Sequence, residues 1–361
     1  MKPKLSSSVS VVKIDENIVE FFKSNTREQV RLKGNSELIL KIVDQFDGTK
    51  TLEVISDKLS LDMGSLQKLV TFLKNKGIMD LMIPTNDFSD YKSFRRTYNF
   101  LNDFAISHDE LVEMVKNISN STVMIIGVGA VGSWVAANLV QSGVRRLILM
   151  DPDKVDQSNL HRQFGYFDGD EGNYKVDVLE QRLLEYSNKI DIIKDKNFLG
   201  EDSLRSYTDK AIDLVINCAD QPNVDTTSKW VGKFCMENQI PHIVGGGYNL
   251  HLSLIGQTII PGNSACVKCF EKTLLEKNNI DDQNIKKLVV KNRKIGSIGP
   301  MCAIIASLIG MEAIKVLSKK IRPANLNRRG EFDVYTMGIK FTEFERRNDC
   351  EWCGKHGKYS A

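Results

Sequence analysis

The sequence predicts an α/β fold in which a mostly parallel sheet is extended by antiparallel strands and preceded by a small winged-helix-like domain. Three observations support this prediction. Strands and helices alternate from Thr122 to Gly247, as in parallel sheets covered by helices on both faces. A glycine-rich turn, "GVGAVG", joins the first of these strands to the first helix. Before residue 85, apolar residues recur at helical spacing.

Composition limits the classes of function. The 361 residues are enough for two domains, and 42% hydrophobic with 26% charged residues is typical of a soluble globular protein. A net charge of +3 does not favour nucleic acid or a membrane as the main partner. The apolar run 295–311 contains Pro300 and is short for a membrane span, so we expect a buried helix. Seven cysteines without a secretion signal indicate a reducing compartment, and we expect a cytoplasmic protein.

Residues 1–85 are predicted to form the small domain. Its three short helices are predicted from apolar residues at helical spacing, at Leu38, Ile42, Leu66, Val70 and Leu73. Asn35 or Ser36 is suited to cap the first helix, and Gly48 and Gly77 to end the first and the last. "GIMDLMI" is predicted to add a pair of strands, which completes a winged-helix arrangement. Residues 86–120 are interpreted as a linker and an approach helix.

Residues 121–361 are predicted to form the main domain. Its strands are expected in "TVMIIGVG", "RLILMD", "IDLVINCAD" and "PHIVGGG", with helices between them. After Gly247, "LHLSLIGQTIIPG" and "EFDVYTMGIKFTEFERR" alternate like antiparallel strands and are expected to complete the same sheet. The charged segment 271–294 is interpreted as a crossing loop or a solvated face.

The glycine-rich turn predicts a Rossmann-like nucleotide site. Gly127, Gly129 and Gly132 follow a strand and open a helix, so the backbone at these glycines and Ala130 can approach anionic oxygens. Asp151 lies 19 residues beyond Gly132, where a carboxylate that binds ribose is expected. A tight turn without a ligand is the alternative interpretation.

The residues after Asp151 favour a nucleoside triphosphate over NAD. Ser158, Asn159, Arg162 and Gln163 follow closely, and the Arg162 guanidinium can form two parallel hydrogen bonds to a phosphate. Lys175 adds a charge at the start of the next helix. Asp220, followed by Gln221, comes just after the end of a strand, where ligands of parallel sheets bind. We therefore predict ATP or another NTP with Mg²⁺ on Asp220. Taken singly, each of these charged residues would be interpreted as a member of a surface ion pair, and only the set favours a triphosphate.

Four of the cysteines form two CxxC pairs. "CVKC" (Cys266, Cys269) and "CEWC" (Cys350, Cys353) supply four thiolates, enough for a closed tetrahedral Zn²⁺ site of structural type. A redox role for a single pair is the alternative. Cys218 and Cys235 are interpreted as core residues, and Cys302 as a packed residue in preference to a nucleophile.

In this order, the motifs resemble the ThiF and MoeB proteins of the ubiquitin-activating superfamily. The matching segments are "GVGAVG", "DPDKVDQSNLHRQ", "YKVDVLEQRL", "CADQP", the CxxC pairs and "GPMCAIIASLIGMEAIKVL". The resemblance implies that Asp151 binds the ribose, that Asn159, Arg162 and Lys175 bind the triphosphate, and that Asp220 binds Mg²⁺. It also implies a structural zinc ion, a homodimer, and adenylation of the C-terminal carboxylate of a protein or peptide with release of pyrophosphate.

Within this superfamily the chain is most similar to the MccB-like peptide adenylyltransferases. "YNFLNDF" resembles their entry segment, and "DGTKTLEVI" and "LVTFLKNKGIM" resemble PqqD-like domains that recognise leader peptides. The resemblance implies a short ribosomal precursor peptide as substrate, in a microcin C-like biosynthetic pathway. Tyr98 replaces an arginine that in many members reaches into the partner's nucleotide site, and Arg95 and Arg96 lie just upstream. Ala130 replaces a common glycine.

Two other functions compete with peptide adenylation. The chain could activate a sulfur-carrier protein that ends in Gly-Gly, as ThiF and MoeB do, or present leader peptides to a cyclodehydratase without catalysis. Presenters tend to lose the nucleotide-binding residues, whereas Asp151, Arg162, Lys175 and Asp220 are all present here. A dehydrogenase is the least favoured interpretation. The peptide, the base of the nucleotide and a second, phosphoramidate-forming step are not specified by the sequence.

Overall fold

The structure, a computed structural model, describes residues 2–79, 91–245, 252–278 and 296–360, with residues 91, 252 and 253 described by their backbone alone. The chain divides into two compact units, Met1–Glu113 and Met114–Ala361. Their boundary lies in the segment predicted as a linker and approach helix. The predicted limit at residue 85 lies outside the described residues.

The first unit opens with a three-stranded antiparallel sheet that the sequence analysis missed. Strands β1 (Val9–Asp15), β2 (Ile18–Lys23) and β3 (Gln29–Lys33) pair in the order β1-β2-β3. Most of β1 and β3 is exposed or half-buried and carries charged residues, so neither strand has the apolar pattern of a buried strand. Only β2 buries a compact apolar set, which includes Val19 and Phe21.

Three helices follow this sheet, as predicted: α1 (Ser36–Val43), α2 (Leu52–Leu59) and α3 (Met63–Asn75). The side chain of Asn35 caps α1 by accepting the N–H of Leu38 at 3.0 Å, and Gly77, at a φ of 65°, follows the end of α3. Ile42, Leu66, Val70 and Leu73 are buried in the shared core.

One prediction for this unit needs correction, and a second falls mostly on residues outside the described ranges. Leu38 is 43% exposed, because it lies on the outer face of α1 while Ile42 faces the core. The predicted strand pair in "GIMDLMI" is represented by one bridge, from Met79 back to Leu5, and its remaining residues lie outside the described ranges. The first unit continues through α4 (Tyr91–Asn102) into α5 (His108–Asn120), which crosses the boundary between the units.

The second unit contains the predicted mostly parallel sheet. Its strands β4 (Thr122–Ile126), β5 (Arg146–Met150), β6 (Asp191–Asp195), β7 (Leu214–Asn217) and β8 (His242–Val244) are parallel, in the order β8-β7-β4-β5-β6. Strand β6 was not predicted, since as an edge strand it is largely exposed and bears charged residues. Around this sheet lie α6 (Gly132–Gln141), α7 (Lys175–Tyr186), α8 (Val224–Glu237), α9 (Val267–Lys277) and α10 (Gly299–Ser318).

The antiparallel strands only partly complete this sheet, which corrects the prediction. Strand β9 (Leu252–Ile255) precedes β10 (Thr258–Ile259), and β10 alone extends the main sheet, antiparallel to β8. With β11 (Arg328–Asp333) and β12 (Gly338–Glu343), β9 forms a separate antiparallel sheet in the order β12-β11-β9. The chain changes sheets at Gly256, where any side chain would overlap the carbonyl of Val244.

Helix α10 is the apolar segment that was predicted to be buried. In the described part of the chain it is the one helix long and apolar enough to cross a membrane, with a mean hydropathy of 1.8, but 61% of that window is buried. It packs against α6, where Gly310 allows close approach to Asn138. Its buried Glu312 accepts the N–H groups of Ala324 and Asn325 at 2.9 and 2.8 Å. These contacts are those of a core helix.

Candidate functional site

The turn between β4 and α6 requires glycine at two of its three predicted positions. Gly127 has a φ of 84°, and a side chain there would lie 2.8 Å from the backbone carbonyl of Cys218. A side chain at Gly132 would overlap the carbonyl oxygen of Gly127. Gly129 is different, because its nearest obstacle would be Gln163 at 3.8 Å. The turn therefore leaves open space at Gly129, on the side where the cavity lies.

A cavity of about 490 Å³ lies at the carboxyl ends of β4, β5, β6 and β7. Ligands of open parallel sheets bind at this edge. Ten of the predicted nucleotide-site residues line it: Gly127, Gly129, Ala130, Asp151, Asn159, Arg162, Gln163, Lys175, Asp220 and Gln221. Gly132 and Ser158 do not.

Asp151 is held in place by backbone N–H groups. Its two carboxylate oxygens accept the N–H of Val128 at 2.7 Å and of Asp153 at 2.8 Å. Burial, at 5% exposure, raises the pKa of Asp151, and these hydrogen bonds and Lys175 oppose the rise. Each oxygen keeps a lone pair, so this carboxylate can accept hydrogen bonds from ribose hydroxyls.

Two buried polar atoms on the cavity wall have no hydrogen-bond partner among the described residues. They are Nε of Arg162, a donor, and Oε1 of Gln163, an acceptor. The carbonyl of Ser158 accepts Nη1 of Arg162 at 2.6 Å, so Ser158 supports the arginine from behind. Buried polar groups are rarely left unsatisfied, and these two indicate that a polar ligand completes the wall.

The cavity lining also contains an ion pair between a buried cation, Lys175, and a carboxylate that was not predicted, Asp153. Nζ of Lys175 lies 2.8 Å from Oδ2 of Asp153, and the side chain of Lys175 is almost fully buried. The Lys175 N–H also donates to the carbonyl of Asp153 at 2.9 Å. Asp153 is the second carboxylate of the motif "DPD", of which only the first, Asp151, was predicted to bind a ligand.

Asp220 lines the same cavity as these cations, and its side chain is exposed. Partial desolvation by the surrounding protein raises the pKa of Asp220, Asp153 adds to the rise, and Lys175 and Arg162 oppose it. Asp153 and Asp220 thus place two carboxylates beside the two cations, a donor set suited to a polyphosphate with a divalent metal.

The part of the cavity wall that follows β6 was not predicted from the sequence. Asn197, Phe198 and Leu199 line it, and Phe198 is 70% exposed. They were overlooked because β6 itself was not predicted. Cys218 also lines the cavity, but burial raises the pKa of its thiol to about 12, so it stays protonated near neutral pH. Cys235 and Cys302 are fully buried, in agreement with their interpretation as packed residues.

The four paired cysteines come together in one buried cluster. Their Sγ atoms all lie within 4.8 Å of one another, with separations of 3.6 Å for Cys266–Cys350 and 3.3 Å for Cys269–Cys353. Tetrahedral zinc with bonds of about 2.3 Å to sulfur requires separations of about 3.8 Å. The four thiols therefore fit a closed zinc site that joins the start of α9 to the C-terminal segment.

Two curated relatives are similar to this chain in sequence. Over 239 residues the chain is 28% identical to the sulfur carrier protein ThiS adenylyltransferase of Escherichia coli, covering 66% of this chain and 88% of that one. It is 35% identical over 119 residues to the tRNA threonylcarbamoyladenosine dehydratase of Bacillus subtilis, which covers 33% of this chain but only 45% of that protein.

Solved structures extend the likeness to nearly the whole chain. E. coli MccB, crystallised with AMPCPP and MccA, superposes with a TM-score of 0.74 at 21% identity, over 98% of this chain and 100% of that one. At 21% identity this likeness shows that the two proteins share a fold and does not extend to function. The ThiF family matches residues 103–353, which include the cavity and the cysteine cluster. Because that match covers well over half of the chain, the protein belongs to the ThiF family.

Proposed function

We propose that this protein transfers the nucleotidyl group of ATP or another NTP to the C-terminal carboxylate of a short, ribosomally made precursor peptide. Pyrophosphate is released, and the product belongs to the biosynthesis of a microcin C-like natural product. The observation that carries the proposal is the cavity, which combines a buried carboxylate for ribose, two cations for phosphates, and Asp220. The MccB structure that contains MccA supports a peptide as the second substrate.

The residues of the cavity have separate roles in the proposed reaction. Asp151 holds the ribose, while Arg162 and Lys175 hold the phosphates and neutralise charge on the departing pyrophosphate. Asp220, with Asp153 nearby, would hold Mg²⁺, which supplies further neutralisation of the phosphate charge. The peptide carboxylate forms a bond to the α-phosphorus as the bond from that phosphorus to the bridging oxygen breaks. Since a carboxylate is ionised near neutral pH, no general base is required.

The expected homodimer and cytoplasmic location belong to the same proposal. On α4, Tyr98 is 7% exposed, whereas the side chains of Arg95 and Arg96 are exposed to solvent. Either arginine is therefore the candidate to act on a partner's nucleotide. Sedimentation equilibrium tests the homodimer. Mixing inactive Asp220→Asn protein with Arg95→Ala or Arg96→Ala protein tests whether either arginine acts on the partner's nucleotide.

A second candidate function is activation of a sulfur-carrier protein that ends in Gly-Gly. The similarity to the ThiS adenylyltransferase, over most of that protein's length, favours it. Pyrophosphate exchange measured with such a carrier and with short precursor peptides separates the two functions. A non-catalytic presenter of leader peptides is disfavoured, because Asp151, Arg162, Lys175 and Asp220 all line one cavity.

Replacing Asp151 with asparagine is expected to reduce discrimination between ribose and deoxyribose. The substitution keeps one acceptor oxygen but removes the charge that strengthens hydrogen bonds from ribose hydroxyls, so about tenfold weaker NTP binding is expected. Calorimetric titration with ATP and 2′-deoxy-ATP, and with CTP and 2′-deoxy-CTP, measures both effects. An unchanged preference for the ribonucleotide would remove Asp151 from ribose binding.

Deleting residues 1–85 is expected to eliminate peptide binding and spare NTP binding. The proposal assigns the first unit to the peptide, as the resemblance to PqqD-like domains predicts, while the cavity lies in the second unit, which has its own core. Fluorescence anisotropy of labelled peptide and calorimetry with NTP are the two measurements. Peptide bound equally well by the shortened protein would contradict the assignment.

A further inference from the structure

Arg329 is a partly buried cation that forms no hydrogen bond or ion pair with the residues that the structure describes. It lies on β11, and its guanidinium carbon is 4.7 Å from the centre of the Phe270 ring on α9. Other arginines nearby are different: Nε of Arg346 donates to the carbonyl of Cys353 at 2.8 Å, and Arg347 pairs with Glu276 at 2.7 Å.

This environment is costly for an unpaired charge. Burial lowers the pKa of Arg329, and Asp225 and Glu331 offset the shift only from beyond ion-pair distance. Stacking on Phe270 satisfies one face of the guanidinium plane but none of its five N–H donors. Because Arg329 is only half-buried, a bidentate anion could approach its guanidinium along the edge of the plane.

The position of Arg329 relates it to the cavity. Asp225, which acts on Arg329, is in the first turn of α8, and this helix begins directly after the loop that carries Asp220 and Gln221. The residue after Arg329, Gly330, pairs with Ile255 of β9, and Gly256, which follows β9, lies against the carbonyl of Val244 at the carboxyl end of β8. Arg329 therefore lies toward the same edge of the main sheet as the cavity, outside the cavity lining. A peptide that brings its terminal carboxylate to the α-phosphorus from this edge would pass Arg329.

We propose that Arg329 binds an acidic side chain of the peptide substrate, upstream of the carboxylate that reacts. This inference rests on the proposed function, because it concerns the same peptide. It makes Arg329 a specificity-determining residue, with Phe270 orienting the guanidinium so that a Glu or Asp carboxylate receives two parallel hydrogen bonds.

The chain supplies a matched control in the neighbouring residue. Arg328 is also stacked on a ring, at 3.9 Å from the centre of Phe341, and it also has no ion pair within the described residues. As consecutive residues of a strand, Arg328 and Arg329 point to opposite faces of the sheet. Arg328→Gln therefore removes an equivalent charge from the other face.

The test uses the full-length protein and mixtures of short randomised peptides with one fixed position, occupied by Glu or by Gln. In pyrophosphate exchange, we expect the Glu mixture to be used about tenfold better at one such position. Arg329→Gln should abolish this preference, Arg329→Lys should retain part of it, and Arg328→Gln should leave it intact. Equal use of both mixtures at every position, or an unchanged preference in Arg329→Gln, would overturn the inference.

A binding measurement separates this inference from the proposed function. Phenylglyoxal modification of Arg329, followed by mass spectrometry, should be slowed by the Glu mixture and not by the Gln mixture. If no mixture supports exchange but this protection is seen, the proposed function fails while the anion site at Arg329 stands. Equal protection by inorganic phosphate or pyrophosphate alone would assign the site to the released product, and would overturn the assignment to the peptide.

Discussion

Replacing Asp220 with asparagine is expected to lower peptide-dependent pyrophosphate exchange by at least about a hundredfold, with the fold unchanged. Asparagine has nearly the same shape but lacks the negative charge, so it holds a divalent cation poorly beside Arg162 and Lys175. Exchange of labelled pyrophosphate into NTP, measured across a magnesium titration, gives the rate and shows whether excess metal restores it.

The control for this substitution is Asp209→Asn, which removes an exposed carboxylate from a surface turn outside the cavity lining. Both variants should unfold at nearly the same temperature as the original protein, since neither loses buried packing. Exchange by Asp220→Asn at the rate of the original protein would exclude Asp220 from metal binding and from the mechanism.

Replacing Cys353 with serine is expected to remove the zinc and to destabilise the second unit by at least about 3 kcal/mol. The cluster joins Cys266 and Cys269, at the start of α9, to Cys350 and Cys353 near the C-terminus, and a three-thiol set binds zinc less tightly. Elemental analysis should find one zinc per chain in the original protein and much less in the variant, whose thermal unfolding should begin at a lower temperature.

Cys235→Ala is the matched control, because Cys235 is a buried thiol that does not belong to the cluster. It should retain a full complement of zinc while losing only the modest stability expected of a small core substitution. A protein purified without zinc that was as stable as the zinc-loaded form would contradict a structural role for the cluster.

The parts of the fold that the sequence predicted are those with strong local signals. The buried strands β4, β5 and β7 are continuous apolar runs, and α7 begins at Lys175 as predicted. The edge strands β1, β3 and β6 carry charged residues at exposed positions. Because of these residues, the alternation of apolar and polar side chains that is typical of strands is not recognisable in their sequences. Whether β9 and β11 join the main sheet or form their own depends on pairing between distant segments, which no local pattern specifies.

The residues of the site likewise divide into those with a local sequence motif and those that only the fold brings to the cavity. Asp151, Arg162, Lys175 and Asp220 were found because each follows a strand or begins a helix in a recognisable motif, and the structure brings all four to one cavity. Asp153 was overlooked although it is adjacent in sequence, because its ion pair with Lys175 depends on the fold. Phe198 and Arg329 belong to no sequence motif. Phe198 is recognised only because this large apolar side chain is exposed, and Arg329 only because it forms no ion pair with the described residues.

The most direct test of the central claim, that the cavity binds a metal-loaded triphosphate, is a crystal structure of the protein grown with Mg²⁺ and ATP or CTP. We expect the ribose hydroxyls at Asp151, the phosphates at Arg162 and Lys175, and the cation at Asp220. An empty cavity at saturating nucleotide, or NADH bound there in preference to a triphosphate, would contradict the account.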